Sequence, residues 1–119
     1  MLHLLVIALA SVGLSAANAT GTWTGTLTPA EGEPGPAYVV LKQDGEALTG
    51  SAGPDASEQH PIHNGRAENG KLTFDLHTGG GVMRVTLEQK GDELTGEVTR
   101  ERDGQSQRAT VELRRAEPR

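Results

Sequence analysis

The chain has 119 residues, enough for one domain, and carries a net charge of −5 without a cluster of basic side chains. This mildly acidic balance excludes nucleic acid and anionic membrane surfaces from the expected partners. Cysteine is absent, so disulfides contribute nothing and the core alone must stabilise the fold.

The N-terminal segment has the features of a secretory signal peptide. Residues 4–14 form an apolar run, and Ala17-Asn18-Ala19 is a small-x-small cleavage site. The run is too short for a spanning helix, which needs roughly 20 apolar residues. We therefore expect residues 1–19 to be cleaved on export, leaving one domain over 20–119 that is secreted or periplasmic and has no membrane span. The alternatives are an uncleaved anchor and a buried N-terminal helix.

After the signal, alternating apolar and polar residues predict β-strands, and no segment has a helical period. Eight strands are expected, at 21–28, 36–43, 46–53, 60–68, 71–78, 81–89, 92–101 and 106–114. Two-residue hairpin loops need positive φ angles and favour pairs that end in glycine. Such pairs lie between the strands at Asp44-Gly45, Asn69-Gly70, Gly79-Gly80, Lys90-Gly91 and Asp103-Gly104.

Each turn predicts a strand register, and each register can be compared with the apolar pattern. All five place apolar residues on one inner face, and threonines and charged residues on the other. The predicted opposite pairs are Leu41–Leu48 and Val39–Gly50, Ala67–Leu72 and Gly65–Phe74, Leu76–Met83, Phe74–Val85 and Leu72–Leu87, Leu87–Leu94 and Val85–Gly96, and Val98–Ala109, Gly96–Val111 and Leu94–Leu113.

Eight strands with one apolar face predict an all-β domain, an antiparallel up-and-down β-barrel, with a two-sheet β-sandwich as the alternative. Glycines at inner positions favour the barrel because they permit strong curvature. They are Gly25, Gly50, Gly65 and Gly96.

The pattern L-x-Q-x-G-x-x-L-T-G occurs twice, at 41–50 and at 87–96. Two hairpins of one barrel that converged on similar turns would produce this repeat. A duplicated half of four strands would produce it equally well. The sequence leaves both explanations open.

Gly21-Thr22-Trp23 opens the first predicted strand. This G-x-W resembles the start of the lipocalin and avidin barrels, in which the tryptophan plugs the closed end. The likeness to bacterial avidins continues through Leu27 and again over residues 45–50, which is about a third of the domain. The resemblance implies a barrel fold and export.

The ligand residues of the avidins are not retained. An avidin has Asn where this chain has Gly25, Ser at the position of Pro29, and Tyr and Ser at the positions of Ala52 and Pro54. The later tryptophans that sandwich biotin are absent. The resemblance therefore does not extend to biotin binding.

Strand direction predicts which end of the barrel opens. The turns at Asp44, Asn69 and Lys90 share one end, and the longer loops at 29–35 and 54–59 lie at the other. Pockets form at the looser end. Its inner residues would make an apolar pocket with His63 as the single titratable group, unless side chains simply fill the interior. They are Ala37, Ala52, His63, Leu76, Met83, Val98 and Ala109. The candidate ligand-binding residues are Trp23, His63, Leu76 and Met83.

The histidines raise the question of a metal site, since imidazole is a common ligand. His60 and His63 fall on opposite faces of a strand, and His77 falls on the outer face. We therefore expect no metal site. The serines lie in no nucleophile motif, and Gly79-Gly80-Gly81 lacks the lysine and helix of a phosphate loop. No enzyme activity and no cofactor are expected.

The expected function is that of an exported, non-enzymatic protein that binds a small apolar ligand inside the barrel. The alternative is an interaction module that docks onto another exported protein or a polysaccharide, such as a small barrel inhibitor or an accessory subunit. The expected partner is thus a small apolar ligand or another exported protein.

Overall fold

The structure, a computed structural model, describes residues 18–79, 81–102 and 104–116. Eight strands form one closed antiparallel sheet, in which sequence neighbours pair and the last strand returns to the first. The strands are β1 (Gly21–Pro29), β2 (Gly35–Asp44), β3 (Ala47–Asp55), β4 (Glu58–Glu68), β5 (Lys71–Thr78), β6 (Gly81–Lys90), β7 (Glu93–Arg102) and β8 (Gln105–Arg115). The predicted up-and-down barrel is confirmed, and the sandwich is not the fold.

The expected signal peptide falls mainly on residues 1–17, which lie outside the described residues. Asn18 and Ala19 are described and belong to the closed end of the barrel. Within the described part of the chain, no helix is long and apolar enough to cross a membrane.

Strand β1 shows how the sequence produces this architecture. Threonine occupies every second position from Thr22 to Thr28, and its branched side chain suits a pleated, half-exposed surface. The residues between them point inward, where Trp23 is fully buried and Leu27 packs against the core. One strand thus supplies both an outer wall of threonines and part of the core.

The inner glycines lie where neighbouring strands approach closely. A Cβ added at Gly96 would overlap the carbonyl oxygen of Thr86 on β6. The same overlap with a neighbouring carbonyl would occur at Gly25, Gly50 and Gly65. These positions therefore require glycine for the strong curvature that closes the sheet.

Three predicted hairpins have the expected register next to the turn. Ala67 pairs with Leu72 across a turn in which Asn69 and Gly70 both have positive φ, as a type I′ turn requires. Between β5 and β6 the pairs are Leu76–Met83, Phe74–Val85 and Leu72–Leu87, as predicted. Between β7 and β8 the pairs are Val98–Ala109, Gly96–Val111 and Leu94–Leu113, again as predicted.

The other two hairpins are shifted by two residues from the prediction. Leu41 pairs with Gly50 rather than Leu48, and Leu87 pairs with Gly96 rather than Leu94. Val39 and Val85 accordingly pair with Ala52 and Val98, not with glycines. The cause is that the glycine takes the first turn position, so the turns are Gly45-Glu46 and Gly91-Asp92. Because side chains alternate with a period of two, the shift leaves the inner face unchanged.

Strand β4 departs further from the prediction, because its register with β5 shifts between His63 and Arg66. Asn64 adopts a φ of 55° inside this irregularity. The extra residue interrupts the predicted Gly65–Phe74 pair and places Ile62 opposite Leu76. In the part of β4 that precedes the bulge, up to His63, the two faces are therefore exchanged relative to the prediction.

The largest buried side chains concentrate at the end that carries the tight Gly45, Asn69 and Gly91 turns, called here the closed end. Trp23 fills the centre of this end, and its indole Nε1 donates to the carbonyl of Ala19 at 2.9 Å. The Arg115 guanidinium lies 4.3 Å above the indole ring. The other fully buried large side chains are Phe74, Leu41, Leu72, Leu87 and Leu94.

The two copies of the repeat form equivalent hairpins at this closed end. Gln43 donates to the carbonyl of Gly45 at 3.0 Å, and Gln89 donates to that of Gly91 at 3.2 Å. The hairpins β2–β3 and β6–β7 are four strands apart in a ring of eight, so they face each other across the barrel. Both origins proposed for the repeat remain compatible with this arrangement.

Candidate ligand-binding cavity

A cavity of about 400 Å³ enters the barrel from the end opposite Trp23, called here the open end. All eight strands contribute to its wall, and most of the wall is apolar. Leu76 and Met83 lie nearer the open end of the cavity, and Phe74 and Leu87 lie deeper. The tight turns close the far end, so the cavity is a blind pocket with one mouth.

Small side chains near the mouth explain why the interior is not filled. Ala37 and Ala52 are inner residues that lie closer to the open end than the buried Leu41 and Leu48. An eight-stranded barrel is only just wide enough for its own side chains, so alanine at this level leaves room for a small molecule. The packed interior and the cavity proposed from the sequence thus coexist, one at each end.

The mouth of the cavity carries polar groups that the sequence did not place in the predicted pocket. Glu58, His60, Thr78 and Arg100 all contribute to the wall. The expectation of an apolar pocket with His63 as its single titratable group is therefore wrong. Alternation does place Arg100 on the same face as Val98, and this signal could have identified it.

Arg100 lies half-buried on the inner face of β7, between its strand partners Met83 and Gln107. Its Nε and Nη2 donate to the amide oxygen of Gln107 at 3.2 and 2.7 Å. The Thr78 hydroxyl is buried and has no hydrogen-bond partner within the described residues. The mouth therefore offers a cation and an unused hydroxyl.

A short turn holds the β3–β4 side of the mouth in place. The Asp55 carboxylate accepts hydrogen bonds from the hydroxyl and backbone N–H of Ser57 and from the N–H of Glu58, at 2.7 to 3.0 Å. These bonds, led by that from the Ser57 hydroxyl, lower the pKa of Asp55 below its usual value. Gln59 donates to the carbonyls of Tyr38 and Asp55 and ties the turn to β2.

The structure brings together two of the four candidate residues. Leu76 and Met83 pair across β5 and β6 and both line the cavity. Trp23 is buried at the closed end and is not part of the cavity wall. His63 lies on the outer face, and the predicted inward position is wrong because the bulge at Asn64 exchanges the faces of β4. His60 occupies the inner wall instead.

The inner set predicted for the open end is otherwise largely correct. Ala37, Ala52 and Val98 line the cavity with Leu76 and Met83. Ala109 packs against the core without lining the cavity.

Outside the barrel, His63 and His77 stack with their ring centroids 4.3 Å apart. His63 is paired with Asp75, whose carboxylate accepts from Asn64 Nδ2 and Arg84 Nε at 3.0 Å each. The hydrogen bond from Asn64, followed by that from Arg84, lowers the pKa of Asp75. No group of three His, Asp or Glu side chains able to hold a metal ion occurs in the described ranges.

A second depression, of about 360 Å³, lies on the outer wall over β1, β7 and β8. Thr24, Thr26, Thr95 and Glu112 contribute to it, and Arg114 crosses it to reach Glu93 at 2.9 Å. Its lining is mostly threonine and glutamate, and its cation, Arg114, is already paired with Glu93. The cavity inside the barrel is therefore the stronger candidate site.

Comparison with protein-family models, curated proteins and solved structures finds no match for this chain.

Proposed function

We propose that this protein is an exported, non-enzymatic carrier that holds one small apolar ligand in the barrel. The observation that carries the proposal is the blind cavity of about 400 Å³ with a mainly apolar wall. Pockets of roughly 300–1,000 Å³ with apolar walls and few polar groups are typical of small-molecule sites. Eight-stranded barrels of this kind have room for one such molecule.

Lipocalin-like or avidin-like character is part of the same proposal. The G-x-W motif and the position of Trp23 at the closed end support it. Biotin is not the proposed ligand, since Ala52 and Pro54 at the cavity wall replace the polar side chains that an avidin uses there.

The apolar surface area that a ligand can bury determines the expected affinity. A ligand that buries roughly 300 Å² of apolar surface gains about 7.5 kcal/mol at about 25 cal/mol per Å². Association then costs part of this gain in lost translational and rotational freedom. We expect dissociation constants in the micromolar range or weaker, so a binding assay must reach roughly 100 μM ligand.

Two alanines on β3 provide a matched test. Ala52→Phe fills the cavity from the wall, whereas Ala47→Phe adds the same ring to the exposed outer face of the same strand. We expect the wild type to bind the neutral dye N-phenyl-1-naphthylamine saturably at one site, measured by fluorescence titration. Ala52→Phe is expected to weaken binding by about tenfold or more, and Ala47→Phe to leave it unchanged.

Thermal denaturation of both variants shows whether each remains folded. Absence of saturable binding to the wild type contradicts the carrier proposal. Equal weakening by the two variants contradicts the location of the site.

A further inference from the structure

The cavity wall includes the cation Arg100, which differs from most other described arginines in its lack of an ion pair. Arg100 forms no ion pair within the described residues, whereas Arg66, Arg84, Arg108, Arg114 and Arg115 each pair with an aspartate or glutamate. Its only described hydrogen bonds go to the neutral amide of Gln107. A half-buried guanidinium beside an apolar space is costly without an anion, so the site favours a ligand that supplies one.

The groups around Arg100 indicate what the rest of the ligand would meet. Met83 lies beside Arg100 on β6, and Val98 is the next inner residue below it on β7. The Thr78 hydroxyl, buried without a described partner, can donate to an anion at the same mouth. Glu58 also lines the mouth, three strands away around the barrel, and disfavours a second negative charge.

We propose that the cavity selects monoanionic amphiphiles, with a carboxylate head at Arg100 and an apolar chain below it between Met83 and Val98. The inference rests on the proposed carrier function and adds the chemical class of the ligand. A planar guanidinium matches a carboxylate in geometry and forms strong charge-assisted hydrogen bonds with it.

Decanoate and 1-decanol test this proposal, because they share a chain and differ in the charge of the head. Both are titrated at pH 7 against bound N-phenyl-1-naphthylamine. We expect the wild type to bind decanoate about tenfold more tightly than decanol. Arg100→Gln should abolish this preference while it leaves the affinity for decanol within about twofold. Arg108→Gln, on the outer face, should retain the preference.

The outcomes separate the two proposals. Equal affinity of the wild type for decanoate and decanol overturns the choice of an anionic ligand and leaves the carrier function standing. Retention of the preference in Arg100→Gln overturns the role of Arg100. Failure of the dye, the acid and the alcohol to bind overturns both proposals.

A second inference concerns the N-terminal processing site, and it depends on the expected export. Ala19 is fully buried, and it donates to Gln43 Oε1 at 2.8 Å and accepts from the Trp23 indole at 2.9 Å. The carbonyl of Asn18 accepts from Gln89 and Arg115 at 3.3 and 3.2 Å. Cleavage after Ala19 would remove all four contacts and leave the buried indole N–H without this acceptor.

A second small-x-small sequence, Ser15-Ala16-Ala17, lies two residues upstream. We infer that the signal is cleaved after Ala17, so that the mature protein begins at Asn18. The side chain of Asn18 is exposed, which allows a new terminal ammonium at this residue to stay hydrated. Ala19 then keeps both of its hydrogen bonds.

Intact mass and N-terminal sequencing of the exported protein test the inference. We expect a chain that begins at Asn18. A chain that begins at Thr20, or one that retains the signal, overturns the inference. A second measurement compares purified proteins that begin at Asn18 and at Thr20. The shorter one is expected to melt several degrees lower, and equal melting temperatures overturn the physical argument.

Discussion

At the residue scale, Arg115 joins three parts of the chain at the closed end. Its guanidinium stacks on the Trp23 ring of β1, its Nε pairs with Asp92 at 2.9 Å, and its Nη1 donates to the carbonyl of Thr20 at 2.6 Å. The last strand is thereby fastened to the first strand and to the β6–β7 turn. Trp23 is thus a structural plug in this protein, although the sequence made it a ligand-binding candidate.

Asp75 is the only charged side chain among the buried residues of the described chain, with 7% of its surface exposed. Asn64 and Arg84 both donate to it and lower its pKa. A carboxyl group whose pKa is lower in the folded state stabilises the fold fully above its unfolded pKa, near 3.9. That stabilisation is lost as the pH falls through the lower, folded pKa.

Asp75→Asn is therefore expected to lower the free energy of unfolding by about 1–2 kcal/mol at pH 7, because the bonds from Asn64 and Arg84 lose their charged acceptor. The difference from the wild type should shrink as the pH drops below about 4. Urea denaturation between pH 3 and pH 7 measures it. Asp44→Asn, at the exposed end of β2, serves as the control and should change little. A difference that does not vary with pH contradicts the argument.

At the element scale, the β2–β3 and β6–β7 hairpins show why the registers were only partly predictable. An X-Gly pair allows glycine to stand first or second in the turn, and the two choices differ by two residues in register. In the structure, Gly45 and Gly91 stand first, with φ of 65° and 63°. Glutamine side chains bound to the turn carbonyls accompany this choice in both hairpins.

Gly91→Ala tests whether the β6–β7 turn requires glycine at its first position. Alanine at a φ of 63° is strained, so we expect a loss of about 1–2 kcal/mol in the free energy of unfolding. Gly79→Ala is the matched control, since Gly79 lies in a turn without a φ of this kind and has open space around it. Urea denaturation should show a change below about 0.5 kcal/mol for the control. Equal losses in the two variants contradict the role of φ at Gly91.

In strand β4, unlike in the two shifted hairpins, a local irregularity changed which residues face the cavity. Asn64-Gly65 is itself an Asn-Gly pair inside a predicted strand, and such a pair is a recognisable signal for a bulge. Its position in the structure moves His63 outward to His77 and gives the inner wall to His60. A strictly alternating pattern over residues 60–68 does not predict the extra residue of the bulge.

At the scale of the whole molecule, closure depends on contacts that no turn predicts. Strand β8 pairs with β1 so that Val111 lies opposite Leu27 and Leu113 opposite Gly25. These residues are far apart in the chain, and only the accumulated curvature of eight strands brings them together. The closed barrel then has one end packed with large side chains around Trp23 and one open end with Ala37 and Ala52 in its wall.

The sequence alone determined the eight strands, their inner face outside the first part of β4, and three of the five hairpin registers next to the turn. These properties follow from alternation with a period of two and from the φ requirements of short turns, and both act over a few residues. The tertiary structure decided the closure of the barrel, the face of His63, the role of Trp23 and the presence of Arg100 at a cavity mouth. The volume left inside a barrel depends on the sum of all inward side chains and on the exact register of every pair, so no local pattern contains it.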